Sequence, residues 1–202
     1  MIDTVLVACD FSSAAARALA HGVDVATRMG ARLHLLYVHE VPAGPFAHGP
    51  RLVEERREAL PQQFRERCRN VLAPYGRAPS DEDVSCLLDE DSAAAPAIVH
   101  CAEAHDADLV AMGTHGRRGV RRLLFGSVAE EVLRTSPCPV LTTRAHDARP
   151  RADALQRLVV PVDFSAPSRQ ALQFAAGLAL AYGLPLTLVH VVDLPTLPTL
   201  YD

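Results

Sequence analysis

Residues 108–144, DLVAMGTHGRRGVRRLLFGSVAEEVLRTSPCPVLTTR, decide how the rest of the chain is read. Leu109 to Met112 form a short apolar run, which reads as a buried strand. Gly113-Thr114-His115-Gly116 follows directly, then a basic loop, then Gly126-Ser127. Beyond it Val128, Val132 and Leu133 recur at helical spacing, and Cys138-Pro139-Val140-Leu141 reads as a closing strand. Glycines therefore follow a strand, and Gly126-Ser127 opens a helix. Backbone N–H groups exposed by glycine beside a helix N-terminus form an anion site. Two residues separate Gly113 from Gly116 and nine separate Gly116 from Gly126. That spacing fits neither GxGxxG nor the Walker A loop.

Working outward, Thr4 to Ala8 is an apolar, β-branched run ending at Cys9-Asp10, as a buried parallel strand requires. Ser12 or Ser13 caps a helix over residues 14–29, with Leu19, Val23 and Ala26 on one face and Gly30 at its C-terminal stop. Leu33 to Val38 is the second strand. Residues 42–50 read as a Pro- and Gly-rich loop. Residues 51–72 read as a charged amphipathic helix with Leu52, Leu60, Phe64, Cys68, Val71 and Leu72 facing inward. Pro61 is expected to kink it or split it in two. Val84 to Leu88 is the third strand, Asp89-Glu90-Asp91 a solvated turn, and Ser92 the cap of a helix reaching about His105.

Strands alternating with helices give an α/β fold, an open five-stranded parallel sheet with helices on both faces, over residues 1–144. Ligands of such sheets sit at the carboxyl ends of the strands, where Asp10, Val38 and Met112 stand with the glycine loop. Residues 145–155 read as a linker. The chain then begins again. LVVPVDFS at 158–165 repeats Val5 to Ser12, and at the same offset Gly30 meets Gly183, Leu33 meets Leu186 and Pro42 meets Pro195. Residues 156–202 are thus expected to be a partial strand–helix–strand copy, without a glycine motif.

Composition narrows the function. With 202 residues and 49% hydrophobic content the chain builds a globular core. A net charge of −4 argues against a nucleic-acid binder. No apolar run reaches the roughly 18–20 residues of a membrane span, and MIDTVLVACD lacks the basic start of a secretory signal, so a cytoplasmic protein is expected. Cys9, Cys68, Cys86, Cys101 and Cys138 contain no CxxC pair. They read as reduced thiols, with Cys9, Cys86 and Cys138 in the core and no zinc site.

The spacing Gly113-two residues-Gly116-nine residues-Gly126-Ser127, with SPCPVLTTR behind it, resembles the ATP-binding motif and final strand of the universal stress protein family. The resemblance implies a Rossmann-like fold of the adenine nucleotide alpha hydrolase type. It implies ATP, with Mg²⁺ as its cellular companion, held by Gly113, Gly116, Gly126, Ser127 and Val128 at the phosphates, Asp10 at the ribose or base, and Ala8, Val38 and Met112 beside the adenine. It also implies a homodimer through Cys138 to Thr143, unless the partial copy buries that edge. The residues by themselves leave other readings open. Asp10 also suits a helix-capping turn, Ala8, Val38 and Met112 are ordinary core residues, and His115, Arg117, Arg118, Arg121 and Arg122 suit a solvated loop. No GxSxG elbow or acid–base carboxylate pair is present, so a nucleotide-responsive regulator is expected rather than a turnover enzyme. The alternatives are a nucleotide-free dimeric interaction module and a slow ATPase.

Overall fold

The protein is described by a computed structural model over residues 2–40, 50–91, 93–114, 126–144 and 155–192, with backbone alone for 50–60. In chain order the elements are β1 (Thr4–Ala8), α1 (Ser13–Met29), β2 (Arg32–Glu40), α2 (Pro50–Leu72), β3 (Val84–Asp91), α3 (Ala94–Ala104), β4 (Leu109–Gly113), α4 (Ser127–Thr135), β5 (Val140–Thr143), β6 (Leu158–Pro161), α5 (Ala166–Tyr182) and β7 (Leu186–Val189). They form two compact units that divide after Ala152.

In the first unit five parallel strands take the order β3-β2-β1-β4-β5. β1 is central and buries side chains on both faces, which is why its sequence is apolar from Val5 to Ala8 rather than alternating, with the buried Thr4 hydroxyl accepting a hydrogen bond from Arg32. Val5 and Val7 face α1, where Gly22 lets the helix approach so closely that an added Cβ would stand 2.5 Å from Val7. Leu6, Leu36, Val110 and Met112 pack on the opposite face against Ile98 and Ala102 of α3 and Ala129 and Val132 of α4. Each fully buried Leu or Val of this kind contributes roughly 1.5–3 kcal/mol over its exposed form. Phe64, Cys68 and Leu72 of α2 recur every four residues and are all buried.

The ends of α1 follow the local chemistry. Ser12 Oγ accepts the Ala15 N–H at 3.2 Å, and Gly30 takes the left-handed conformation (φ 65°) that stops the helix. Elsewhere the fold corrects the sequence reading. α2 is not split at Pro61 but continues through it as one helix, because proline removes one N–H while burial of Phe64, Cys68 and Leu72 holds the turns that follow. Asp89, Glu90 and Asp91 are not a turn. They extend β3, paired with Val38, His39 and Glu40, and β3 is an edge strand where half-exposed carboxylates are tolerated. α3 is preceded by Ala93, whose N–H is taken by Asp91 Oδ1 at 3.2 Å; Ser92 lies outside the described residues. β5 begins at Val140 rather than Cys138, since the Ser136 hydroxyl engages the Cys138 backbone and Pro139 has no N–H to give a ladder. Among the cysteines Cys9, Cys68 and Cys101 are buried, while Cys86 and Cys138 are only half-buried; none is in a disulfide. The expected loop over 42–49 and linker over 145–154 lie outside the described residues.

The second unit, taken by itself, is β6 and β7 in parallel with α5 between them in sequence. Its register repeats that of the first: Val5 pairs with Leu33, and Leu158 with Leu186. Ser165 caps α5 as Ser12 caps α1, and Gly183 (φ 63°) stops it as Gly30 stops α1. Burial does not repeat. Leu6 and Leu35 are fully buried, yet Val159 and Leu188 at the matching positions are 56% and 51% exposed.

One buried group makes stability depend on pH. His34 on β2 is 7% exposed, its ring lies 4.8 Å from that of His105, and its Nδ1 has no hydrogen-bond partner among the described residues. Burial pushes its pKa down, assisted by the positive charges of His105 and Arg32. A histidine depressed on folding favours the neutral form, so its contribution is intact above the unfolded pKa of about 6.5 and is lost as pH falls below it, by up to about 1.4 kcal/mol per pH unit. Burial depresses His21 in the same direction. The denaturation midpoint is therefore expected to fall between pH 7 and pH 5, and His34→Leu to flatten part of that slope. An unchanged slope in this variant would remove His34 as a cause.

Candidate functional site

The strand order creates a switch point. From β1 the chain moves outward to β2 and β3, then returns to β4 on the other side of β1. The chain leaving β1 goes to β2 and the chain leaving β4 goes to β5, on opposite sides, and such a switch point at the carboxyl ends of the strands is where open α/β sheets bind ligands. Asp10 lies just beyond the end of β1, and Gly113 and Thr114 lie at the end of β4.

On the β1 side, Asp10 Oδ1 accepts the Ser12 N–H at 2.9 Å, and Ser12 in turn caps α1. The turn between them places Phe11 at φ 62°, a conformation costly for a residue with a large side chain. Its ring packs against Tyr37 (5.5 Å between centroids) and Phe64 (6.4 Å), with Arg67 above it at 5.2 Å. Asp10 thus holds the turn into α1 while Ser12 is the cap, and the second unit repeats the turn: Asp163 Oδ1 accepts the Ser165 N–H at 2.9 Å, with Phe164 at φ 65°. Hydrogen bonds from Ser165, then Ser168, lower the Asp163 pKa to about 2.

On the β4 side, Gly113 has no room for a side chain. An added Cβ would meet Ala14 Cβ at 2.7 Å and the Ala14 and Ala15 backbone at 3.0 Å. Its bare face is used by the first turn of α1, so close strand–helix packing accounts for this glycine. Thr114, which the sequence reading did not single out, carries the geometry. It is buried, its N–H donates to Thr143 O at 2.8 Å, and its carbonyl accepts the Gly126 N–H at 2.7 Å. Thr143 Oγ1 donates to Ala14 O at 2.9 Å. The signal for Thr114 was its place between a strand end and the glycines, but a buried threonine linking two elements depends on contacts that no local pattern encodes.

The Thr114–Gly126 bond brings the N-terminus of α4 to the end of β4. Gly126 is the N-cap, and no side chain among the described residues caps this helix. Ser127, Val128 and Ala129 occupy its first turn, where N–H groups lack intrahelical acceptors and the dipole favours an anion. Gly126 and Val128 are half-buried and Ser127 is exposed. Ala8 and Val38 are half-buried at or near the ends of β1 and β2, whereas Met112 is 4% exposed and packed with Leu6 and Ile98. Gly116, His115 and the four loop arginines lie outside the described residues.

The comparisons agree with this architecture. The model of the universal stress protein family matches residues 1–144 and again residues 154–202. The chain is 30% identical over 141 residues to a universal stress protein of Methanocaldococcus jannaschii, covering 69% of this chain and 81% of that one. A solved universal stress protein of Lactobacillus plantarum superposes with a TM-score of 0.56 at 25% identity, covering 71% of this chain and 98% of that one. A universal stress protein solved in complex with cAMP superposes with a TM-score of 0.51 at 23% identity, over 71% of this chain and 98% of that one. The sheet order, the switch point and these matches together place the chain in the universal stress protein family.

Proposed function

We propose that this universal stress protein binds ATP in the crevice between β1 and β4 and acts as a nucleotide-responsive stress regulator rather than a turnover enzyme. The observation that carries the reading is the first turn of α4, which no side chain among the described residues caps and which the Gly126–Thr114 hydrogen bond ties to the end of β4. Its N–H groups suit a phosphate. Gly126, Ser127 and Val128 would hold the phosphates together with Gly116, and Asp10 across the switch point would accept hydrogen bonds from the ribose or base. Ala8, Val38 and Met112 would lie nearest the adenine, and Gly113 would act through the packing of α1 on β4. Mg²⁺ would accompany the nucleotide and offset its phosphate charge. The cAMP complex of a structural relative supports an adenine nucleotide. We assign residues 1–144 as the nucleotide-binding domain, 145–155 as a linker and 156–202 as a partial second copy.

Calorimetric titration of nucleotide-free protein with ATP and Mg²⁺ should give one site per chain. Gly126→Val should abolish binding, because side-chain bulk enters where phosphate must approach. Asp10→Asn preserves the turn but removes a charged acceptor worth about 1.5–3 kcal/mol, a loss of roughly 10- to 150-fold in affinity. Asp163→Asn should change nothing. Undiminished affinity in Gly126→Val would overturn the assignment.

β5 is an edge strand, with Val140 to Thr142 half-buried. Such an edge pairs readily with another strand, and we assign it as a homodimer contact. Light scattering should give twice the chain mass, and a monomer at high protein concentration would contradict the contact.

A further inference from the structure

The second unit leaves open a surface that the first unit closes. Of the nine large hydrophobic residues exposed among the described residues, all but Tyr75 and Leu133 lie in the second unit, so this is where an unmet contact is to be sought. Phe164 is 70% exposed and Leu188 is 51% exposed. In the repeat Phe164 matches Phe11, Leu188 matches Leu35 and His190 matches Tyr37. Leu35 and Tyr37, two residues apart on a strand, share one face of the sheet.

In the first unit α2 closes these positions. The Phe64 ring stacks on Tyr37 with centroids 5.9 Å apart and meets Phe11 edge-on at 6.4 Å, while the Arg67 guanidinium stands 5.2 Å from the Phe11 ring. Phe64, Cys68 and Leu72 form the buried stripe of α2, and Leu35 is fully buried. The second unit has the same turn and register, yet among the described residues the Phe164 ring meets one other ring, that of His190, at 4.8 Å. Both are braced without a covering helix. His190 Nδ1 is 2.7 Å from Val162 O, and the Phe164 carbonyl accepts a hydrogen bond from Arg169 at 2.6 Å.

We propose that Phe164, His190 and Leu188 form a docking site for an amphipathic helix of a partner protein. The helix carries the pattern of α2, with an aromatic residue, an arginine three positions on, and small or apolar residues four and eight positions on. The occupant follows from the repeat, since the first unit shows what seats on the same turn and strand. α2 of this chain, or of a second copy, is already engaged through Phe64 and Arg67 with its own Phe11. Positions three and four apart lie on one side of a helix, so a single helix sets a ring against Phe164 and His190 and a guanidinium over the Phe164 ring. The exposed Asp163 carboxylate, next to Phe164 in sequence, has the charge opposite to that arginine. An apolar patch with a polar rim, read by anchors at helical spacing, is how such helices are bound.

The test is an NMR titration of the isotope-labelled full chain, followed amide by amide, with a synthetic peptide of residues 61–75 carrying Cys68→Ser to prevent disulfides. Saturable shifts are expected at residues 163–165 and 188–192, with 10–12 and 35–37 unmoved because α2 already covers them. Phe164→Ala should weaken binding about tenfold, as the loss of one aromatic pair and one cation–π contact implies. Peptides with Phe64→Ala or Arg67→Glu should bind as weakly, and they keep the test on an intact protein if Phe164→Ala disturbs the turn. Without peptide, a soluble paramagnetic agent should bleach residues 163–165 and 188–192 at low and high protein concentration. No shifts in the second unit, or equal binding of the variant peptides, would overturn the proposal. So would protection from the agent in the free chain. At every concentration it would mean that the chain covers the patch itself, and at high concentration alone that a second copy does.

Discussion

Everything in the first unit hangs on β1 being paired on both sides. Its backbone bonds to β2 along one edge and β4 along the other, so neither face nor edge meets water and each side chain must be apolar or satisfied. The entry is locked by Asp108, whose Oδ2 accepts the N–H groups of Asp3 (2.8 Å) and Thr4 (3.0 Å), while its own N–H donates to Thr4 O at 2.9 Å. With both edges used, the chain has no choice at the carboxyl end but to diverge. The Asp10 turn and the α4 N-terminus stand on the two sides of that switch point, so the proposed site would be a consequence of strand order rather than an addition to the fold.

This explains which parts were legible in the sequence. β1, α1 and β2 were readable because their signals are local: a continuous apolar run, a helical stripe, Ser12 before it and Gly30 after it. The role of Ser127 in opening α4 was local too. Asp89 to Asp91 misled because three acids look solvated, and only pairing with β2, which is set at a distance along the chain, makes them strand. A split at Pro61 is the opposite case, since the local breaker does not end the helix where packing of the residues after it holds the turns. At Gly113 the structure adds a reason for glycine that spacing does not show, the close packing of Ala14 where a side chain would stand. Phe11 at positive φ and the Thr114–Thr143–Ala14 linkage left no trace in composition or spacing.

The second unit shows what the same local code does without its surroundings. Register, cap, left-handed phenylalanine and helix stop are all reproduced, so these features are properties of the short segment itself. Burial is not reproduced, because it depends on neighbours. Val159, Phe164, Leu188 and Val191 remain exposed where Leu6 and Leu35 are enclosed by the larger sheet and its helices. The repeated Asp–Phe–Ser turn also separates two roles that the sequence alone merges. Capping the helix needs only the turn, whereas the proposed nucleotide site also needs β4 and α4, which only the first unit has among the described residues.

That distinction is the centre of the account, and amide hydrogen exchange with and without saturating ATP and Mg²⁺ tests it most directly. Slowed exchange is expected over residues 10–12 and 126–129 together, since one ligand would bridge the two sides of the switch point, with residues 163–168 unchanged. Binding that slows exchange at 163–168, or that leaves 126–129 unaffected, would contradict it.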